Sequence, residues 1–502
     1  MVKLRSTFKN KTGDVKMKKI SWSLTVSIAI FTLLIGVLAT YFVIEQSQLE
    51  LKTVTVSEVE DEQDDELADL LVFLNHLRTV HYFYDSDIDL IRGAIDGMVA
   101  QTNDPWARLL TVSEYWTFAA PLFGNFSGIG ISVMEIDTYP VIVEILENSP
   151  AQRYGLLPGD AIISVEGEQF SDHDFEAFIN QLLGEQGTVV TLEIQRANEL
   201  FYLDITRGAL TYESVTSDVL EHEGKTIGYI LISNFGMTTQ VDFSRAVSRL
   251  ERIGIDGLII DVRDNPGGAM ATLNDLMTYL LPSDRMIATT VNRDGSENVL
   301  ETRGDDHYRL DVEIVTLING GSASASEFFA AAMIESGNFP VLGTTTFGKG
   351  TAQSPLHVGD YILMSTLQEG FTPFGNPIEG YGVEPTIYVE EPEFYAFLPL
   401  HLSQNTILEY DRVDAKVSKA QLILDLLGYD VDRTDGYFDA STVEAVRAFQ
   451  QSHHLSGTGH INPETATALS LSLLDKIQNP AYDTQLLAAL NLFARGLKEG
   501  GR

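Results

Sequence analysis

The sequence predicts a multidomain chain with an α/β core, an inserted β-rich domain, an N-terminal transmembrane helix and a C-terminal all-α three-helix module. Three observations predict it. Uncharged residues run unbroken over positions 20–44. Short β-rich runs at 122–207 give way to alternating strand-like and helical runs at 226–391. Positions 417–471 read as helix throughout. A length of 502 residues exceeds one core, and 44% apolar with 21% charged residues is ordinary for folded protein. The absence of cysteine excludes disulfides, a thiol nucleophile and thiolate metal sites. A net charge of −38 excludes nucleic acid as a partner, because phosphate recognition rests on Lys and Arg.

Residues 1–19 form a basic tail, with seven Lys and Arg against the single acid Asp14, and such a bias holds an N-terminus in the cytoplasm. Residues 20–44 match the ~20 residues that span a bilayer, so a single-pass anchor in the cell membrane is expected, with the rest of the chain extracytoplasmic. A cleaved signal peptide is the competing reading, with Met17-Lys18-Lys19 as an alternative start. The span exceeds the usual signal core and lacks an Ala-x-Ala site, and the compartment is the same either way. Residues 45–66 are an acidic stalk without the spaced oxygens and turning glycine of a calcium loop. In 67–115, Leu67, Leu70, Leu71, Leu74 and Leu77, then Ile88, Ile91 and Ile95, repeat at helical spacing. They make a helical hairpin whose apolar faces suit a core or a homo-oligomer surface.

Residues 116–207 carry β-rich runs at 130–134, 141–146, 161–165 and 189–194, interrupted by an amphipathic helix at 174–183. The stretch Asn148-Ser-Pro-Ala-Gln-Arg-Tyr-Gly-Leu-Leu-Pro-Gly-Asp-Ala-Ile-Ile-Ser-Val-Glu-Gly167 resembles the PDZ signature. That resemblance implies capture of an extended peptide by strand addition, with Ser127, Gly128, Ile129 and Gly130 as the carboxylate loop. Plain tight turns are the alternative for these glycines. Residues 393–416 read as a linker, 417–472 as a helical module and 473–502 as a C-terminal tail. The module resembles the three-helix peptidoglycan-binding domain through its Asp435-Gly436 turn and the Phe449-Gln450 helix end. A protein-interaction cap of the same fold is the other reading.

Within 208–392, strand-like runs at 227–232, 257–262 and 314–318 are separated by helical runs at 241–253 and 271–281, the pattern of crossover units in an α/β sheet. Three segments follow such runs: Asp261-Val-Arg-Asp-Asn-Pro-Gly-Gly268, Asn319-Gly-Gly-Ser-Ala-Ser-Ala-Ser-Glu327 and Gly343-Thr-Thr-Thr-Phe-Gly-Lys-Gly-Thr-Ala-Gln353. Glycines and small hydroxylated residues at strand-to-helix junctions gather backbone N–H groups where an oxyanion can be stabilised. A serine there needs a base, and a lysine serves if burial lowers its affinity for the proton. Lys349 has no acid within five residues. The near match of Gly343-x4-Gly348-Lys349 to a phosphate-binding loop fails at Gly350, where Ser or Thr would hold magnesium.

Together these segments resemble the C-terminal processing peptidases, also called tail-specific proteases, which have an α/β core, an inserted PDZ domain and a Ser/Lys/Gln site. The resemblance covers residues 67–391. It implies Ser324 as nucleophile, Lys349 as base 25 residues on, Gln353 as the group that orients the base, and Gly267 or Gly268 with the Ala325 N–H as oxyanion hole. One departure is Asp264, where the family usually has Asn or Gly. His307 and His357, which could furnish an ordinary triad, sit in no motif of the family. The expected function is therefore an extracytoplasmic serine endopeptidase acting on protein substrates with accessible C-terminal tails near peptidoglycan. It needs no metal and no cofactor. The alternative is a PDZ and wall-binding scaffold with a dead core, which would be expected to have lost a member of the Ser324/Lys349/Gln353 set.

Overall fold

The computed structural model describes residues 6–9, 15–18, 64–85, 89–123, 125–136, 139–170, 178, 181–211, 213–303, 310–359, 361–396 and 399–496. The anchor expected at 20–44, most of the stalk, most of the helix expected at 174–183, and His307 lie outside them. Among the described residues no helix is long and apolar enough to cross a membrane. The chain divides into two compact units, residues 1–112 with 353–366, and residues 113–352 with 367–502.

In the first unit, a short hairpin pairs Ser6–Lys9 with Val15–Lys18. The helices expected in the 67–115 region are Asp64–Thr79 and Leu90–Ala100, the second capped by Asp89, whose carboxylate accepts from Arg92 N. The strand Arg108–Thr111 pairs antiparallel with residues 361–364.

In the second unit the PDZ region forms a sheet in the order Glu199–Thr206, Val189–Arg196, Ala161–Val165, Tyr139–Ile145, Ile131–Ile136. Its core is Ile129, Ile142, Leu156, Ile162, Val190, Leu192, Ile194 and Ile205. The peptidase core is a six-stranded sheet in chain order: Val215–His222, Lys225–Ile232, Gly257–Asp261, Glu313–Ile318, Val341–Gly343 and Ile387–Tyr388. The first strand is antiparallel to the second and the others run parallel. With right-handed crossovers, strands laid down sequentially place all their helices on one face. The helices Thr239–Ile253, Met270–Met277 and Ala325–Glu335 accordingly share one core with Ile230, Leu258, Ile260 and Ile314.

The opposite face, made of Ile227, Ile259, Val315, Leu317 and Leu342, needs a cover from elsewhere, since a parallel sheet is buried on both sides. The cover is the helix Thr484–Arg495, which seats Leu486, Ala489, Leu490 and Phe493 on it. Most of the segment read as a C-terminal tail is thus structural. Its 486/489/490/493 spacing, a helical apolar stripe, is the signal that reveals it in the sequence. Gly257 makes room: a Cβ there would lie 2.3 Å from the Phe493 ring.

The C-terminal module consists of the helices Ala415–Leu426, Ala440–Ser452 and Pro463–Gln478. Its core also takes in Leu400, Leu402 and Leu408, from the stretch read as linker, and Leu408 bridges to Ile461.

Candidate active site

Three loops at the carboxyl ends of adjacent parallel strands carry the predicted chemistry, where open α/β sheets bind ligands. After Glu313–Ile318 the chain turns through Asn319–Ala323 into the helix Ala325–Glu335, with Ser324 as its N-cap. Ser324 has φ 54° and ψ −118°. A non-glycine residue in that region is strained, and a serine held so at a strand-to-helix junction has the character of a nucleophile elbow.

The three serines of the motif separate by what they touch. Ser322 Oγ donates to Val262 O at 2.7 Å and Ser326 Oγ to Asn265 O at 2.9 Å, and both residues are buried. They fasten the Ser324 turn to the 262–268 loop, while Ser324 alone has the strained backbone and is only half-buried.

Lys349 is also half-buried, in the loop after Val341–Gly343. What joins this loop to the Ser324 turn is a residue given no role by the sequence reading. Glu327 is fully buried, and one of its carboxylate oxygens accepts from Ser324 N at 2.8 Å and from Lys349 N at 2.7 Å. The other accepts from Gly348 N at 2.7 Å and Thr346 Oγ1 at 2.6 Å. Thr346 Oγ1 in turn accepts from Val383 N at 2.7 Å. One side chain thereby fixes the main chain of both Ser324 and Lys349. The signal for it is local: Ser324-x-x-Glu327 before an apolar run is the capping-box pattern, and Glu327 indeed receives the N-cap amide.

Gly267 closes against the serine. A Cβ on it would lie 2.8 Å from Ser324 Cβ and 2.9 Å from Ala325 N. Its N–H, however, is committed to Asn265 Oδ1 at 2.8 Å. Gly268 packs its α-carbon against Phe235, and its own N–H donates to nothing among the described residues. Ala325 opens the helix, so its N–H is one of the amides a helix leaves without an internal acceptor. Of the Gly267, Gly268 and Ala325 N–H groups, those of Gly268 and Ala325 donate to nothing among the described residues.

Asp264, the departure noted above, has φ 55°, a backbone that Asn and Gly adopt readily. Its N–H donates to Asn319 Oδ1 at 2.9 Å and its carboxylate accepts from Asn319 Nδ2 at 3.0 Å. That charge is held by the loop rather than aimed at the serine. Gln353 lies in the strand Thr351–Val358, within the first compact unit, where its Nε2 donates to Thr366 Oγ1 at 3.1 Å. His357, in the same strand, is exposed. Among the described residues no cluster of His, Asp and Glu could hold a metal ion.

In the PDZ region, Ser127 and Gly128 pair with Ala209 and Gly208. The carbonyls of Ile129 and Gly130 accept from Ala151 N and Leu146 N, while their N–H groups donate to nothing among the described residues. The next strand, Ile131–Ile136, ends its sheet, with one edge unpaired among the described residues.

Residues 226–389 match the model of peptidase family S41, residues 141–196 that of the PDZ domain and residues 413–469 that of the PG_binding_1 peptidoglycan-binding family. The chain is 33% identical to the carboxy-terminal processing protease CtpB of Bacillus subtilis (strain 168), over 91% of this chain and 95% of that one. It is 32% identical to CtpA of the same organism, over 82% and 87%. A probable CtpA-like serine protease of Staphylococcus aureus (strain N315) is 29% identical over 79% of each chain. This chain, with its serine turn, lysine loop and glycine loop gathered at one end of the sheet, belongs to peptidase family S41, the C-terminal processing serine proteases.

Proposed function

We propose that the chain cleaves peptide bonds with Ser324 as nucleophile and Lys349 as its general base, Gln353 orienting the base, and the N–H groups of Gly268 and Ala325 receiving the oxyanion. The observation that carries this reading is the Glu327 carboxylate, which binds the amides of Ser324 and Lys349 with one oxygen and so brings the two loops to one point. In the reaction, Ser324 Oγ attacks the scissile carbonyl as its proton passes to neutral Lys349 Nζ. The amine returns that proton to the leaving nitrogen, and water then repeats the sequence on the acyl-enzyme. Donors already in place where charge develops stabilise the tetrahedral intermediate.

The open edge of Ile131–Ile136, with the Ile129 and Gly130 amides beside it, suits an added strand that ends in a carboxylate. We read the substrate as a protein tail presented there, outside the cytoplasm, by an enzyme anchored through residues 20–44 and held near peptidoglycan by its C-terminal module.

The test is cleavage of a tail peptide by the purified chain lacking residues 1–45. Ser324→Ala and Lys349→Ala each lower kcat/KM by about 10³-fold or more with the fold unchanged, whereas His357→Ala leaves it intact. An active Lys349→Ala, or a dead His357→Ala, overturns the dyad. Activity should also rise with pH, because only the neutral amine accepts a proton. Binding of residues 399–479 to purified walls, persisting at moderate salt, tests the wall reading.

A further inference from the structure

We propose that Asp483, 220 residues beyond Arg263 in the chain, is a positioning residue of the peptidase: through the Arg263 guanidinium it holds the 264–268 loop that carries the oxyanion glycines. The inference rests on the oxyanion assignment above.

Arg263 follows the strand Gly257–Asp261 and leads directly into Asp264-Asn-Pro-Gly-Gly268. Its guanidinium is clamped between two carboxylates. Nε donates to both Asp261 oxygens at 3.0 Å, and Nη2 to Asp261 Oδ2 at 2.6 Å. On the other side Nη1 and Nη2 donate to Asp483 Oδ1 and Oδ2 at 3.0 and 2.7 Å, and Nη1 also reaches Gln485 Oε1 at 3.1 Å. The side chains of Asp261, Arg263 and Asp483 are only 1%, 11% and 10% exposed. Paired N–H···O bonds of this kind fix a direction as well as a distance, and burial keeps water from substituting for them. Tyr229 completes the cluster, its hydroxyl donating to Asp261 at 2.7 Å. Burial, then the Asp261 charge, pushes the Tyr229 hydroxyl well above its usual range, so it stays a donor.

The same helix start reaches the lysine loop. Gln485 Nε2 donates to Val389 O at 2.9 Å, and Val389 N donates to Gly343 O, where the loop toward Lys349 begins. Asp483 is itself the helix N-cap, accepting from Leu486 N at 2.9 Å. The element that follows the C-terminal module thus holds the backs of two site loops with Asp483 and Gln485 and seals the sheet with the rest. A helix that merely covered a sheet would need only its apolar stripe.

The experiment separates positioning from packing. In the full chain, Asp483→Ser keeps a cap but cannot reach Arg263. Asp483→Asn keeps the cap and one acceptor. Phe493→Ala removes packing from the same helix without touching the clamp. Tm, kcat and KM are read well below the lowest Tm. The expected result is a kcat loss of about tenfold or more for Asp483→Ser with KM within about twofold, a smaller loss for Asp483→Asn, and unchanged kcat for Phe493→Ala despite its lower Tm. Gln485→Ala, a milder change should Asp483→Ser not fold, should also lower kcat. The proposal is overturned if folded Asp483→Ser has wild-type kcat, if Phe493→Ala loses kcat equally, or if neither folded Asp483→Asn nor Gln485→Ala loses any. Failure of the underlying site reading shows separately, as wild-type kcat/KM in Ser324→Ala.

Discussion

The peptidase core and the C-terminal module solve one problem, holding glycine-rich turns still, with chemically different buried side chains. In the module two amides do it. Gln450 Nε2 donates to His460 O, Thr458 Oγ1 and Thr465 Oγ1 while its Oε1 accepts from Gly459 N, and Gln421 Nε2 donates to Tyr437 O and Thr442 Oγ1 while its Oε1 accepts from Gly436 N. In the core a carboxylate does it, because everything Glu327 gathers is a donor. A neutral amide, donor and acceptor at once, can knit any turn to its surroundings. An acceptor-only group fits where several loops present N–H groups to one point, which is also the arrangement an oxyanion site requires. The first is architecture within the module, while the second ties the Ser324 turn to the Lys349 loop.

The largest effect that would break this comparison is in the core. Glu327→Ala strands four donors in a buried space and should cost about 3–5 kcal/mol of stability. In whatever remains folded, kcat should fall by about 10²-fold, because Ser324 and Lys349 lose their common reference. Glu327→Gln keeps the shape but turns an NH₂ toward N–H groups, and should lie between. Full activity in either variant would make Glu327 a cap and nothing more.

The counterpart in the module is Gln450→Ala, which should destabilise that unit by about 2–4 kcal/mol through unsatisfied groups at Gly459 and His460. Cleavage of a short peptide should be unchanged. Hydrogen exchange in 415–478 measured beside kcat reads both, and a parallel loss of kcat would erase the distinction between the two regions.

How much of this was legible in the sequence follows from how local each feature is. The parallel strands are legible in their apolar runs, because that signal lies within a few residues, whereas Ser324 and Lys349 are assigned by the resemblance to a family motif and its 25-residue interval. Glu327 stood in view as part of a capping box. Its bonds to Gly348 and Lys349, however, join positions more than 20 residues apart that only the sheet brings together. Asp483 is further still from Arg263, and although the apolar stripe of its helix is legible at 486, 489, 490 and 493, nothing nearby announces the sheet face it covers. The proposed preference for Gly268 over Gly267 rests on where one N–H points, which no pattern of residue types encodes. Leu400, Leu402 and Leu408, in the stretch read as linker, follow no helical period, so their place in the module core is not legible locally.

The smallest effect concerns the turn that opens the module's second helix, and it tests whether charge matters there at all. Asp439 Oδ1 accepts from Thr442 N and Thr442 Oγ1 at 2.9 Å and from Ser441 Oγ at 2.8 Å. Burial pushes this carboxyl up, but the hydrogen bonds from Thr442 and Ser441 outweigh it and hold it below its ordinary value. A carboxyl depressed in the folded state contributes stability that is complete above its unfolded pKa, about 3.9, and is lost as pH falls through the folded value below that. Asp439→Ala should therefore cost about 1 kcal/mol of local stability at pH 7, as helix caps do, and the same at pH 5. The penalty should shrink as pH falls below about 3.9, where the wild-type cap begins to take up its proton. Asp439→Asn should be nearly neutral at pH 7, since Asn caps as well as Asp, and should be indifferent to acid. Protection of the 440–452 amides from exchange in the whole chain, compared at pH 7, 5 and 3, checks this. A penalty for Asp439→Ala that grows toward pH 3 would show that the carboxyl is held above its ordinary value and that the turn is ordered by something other than this cap.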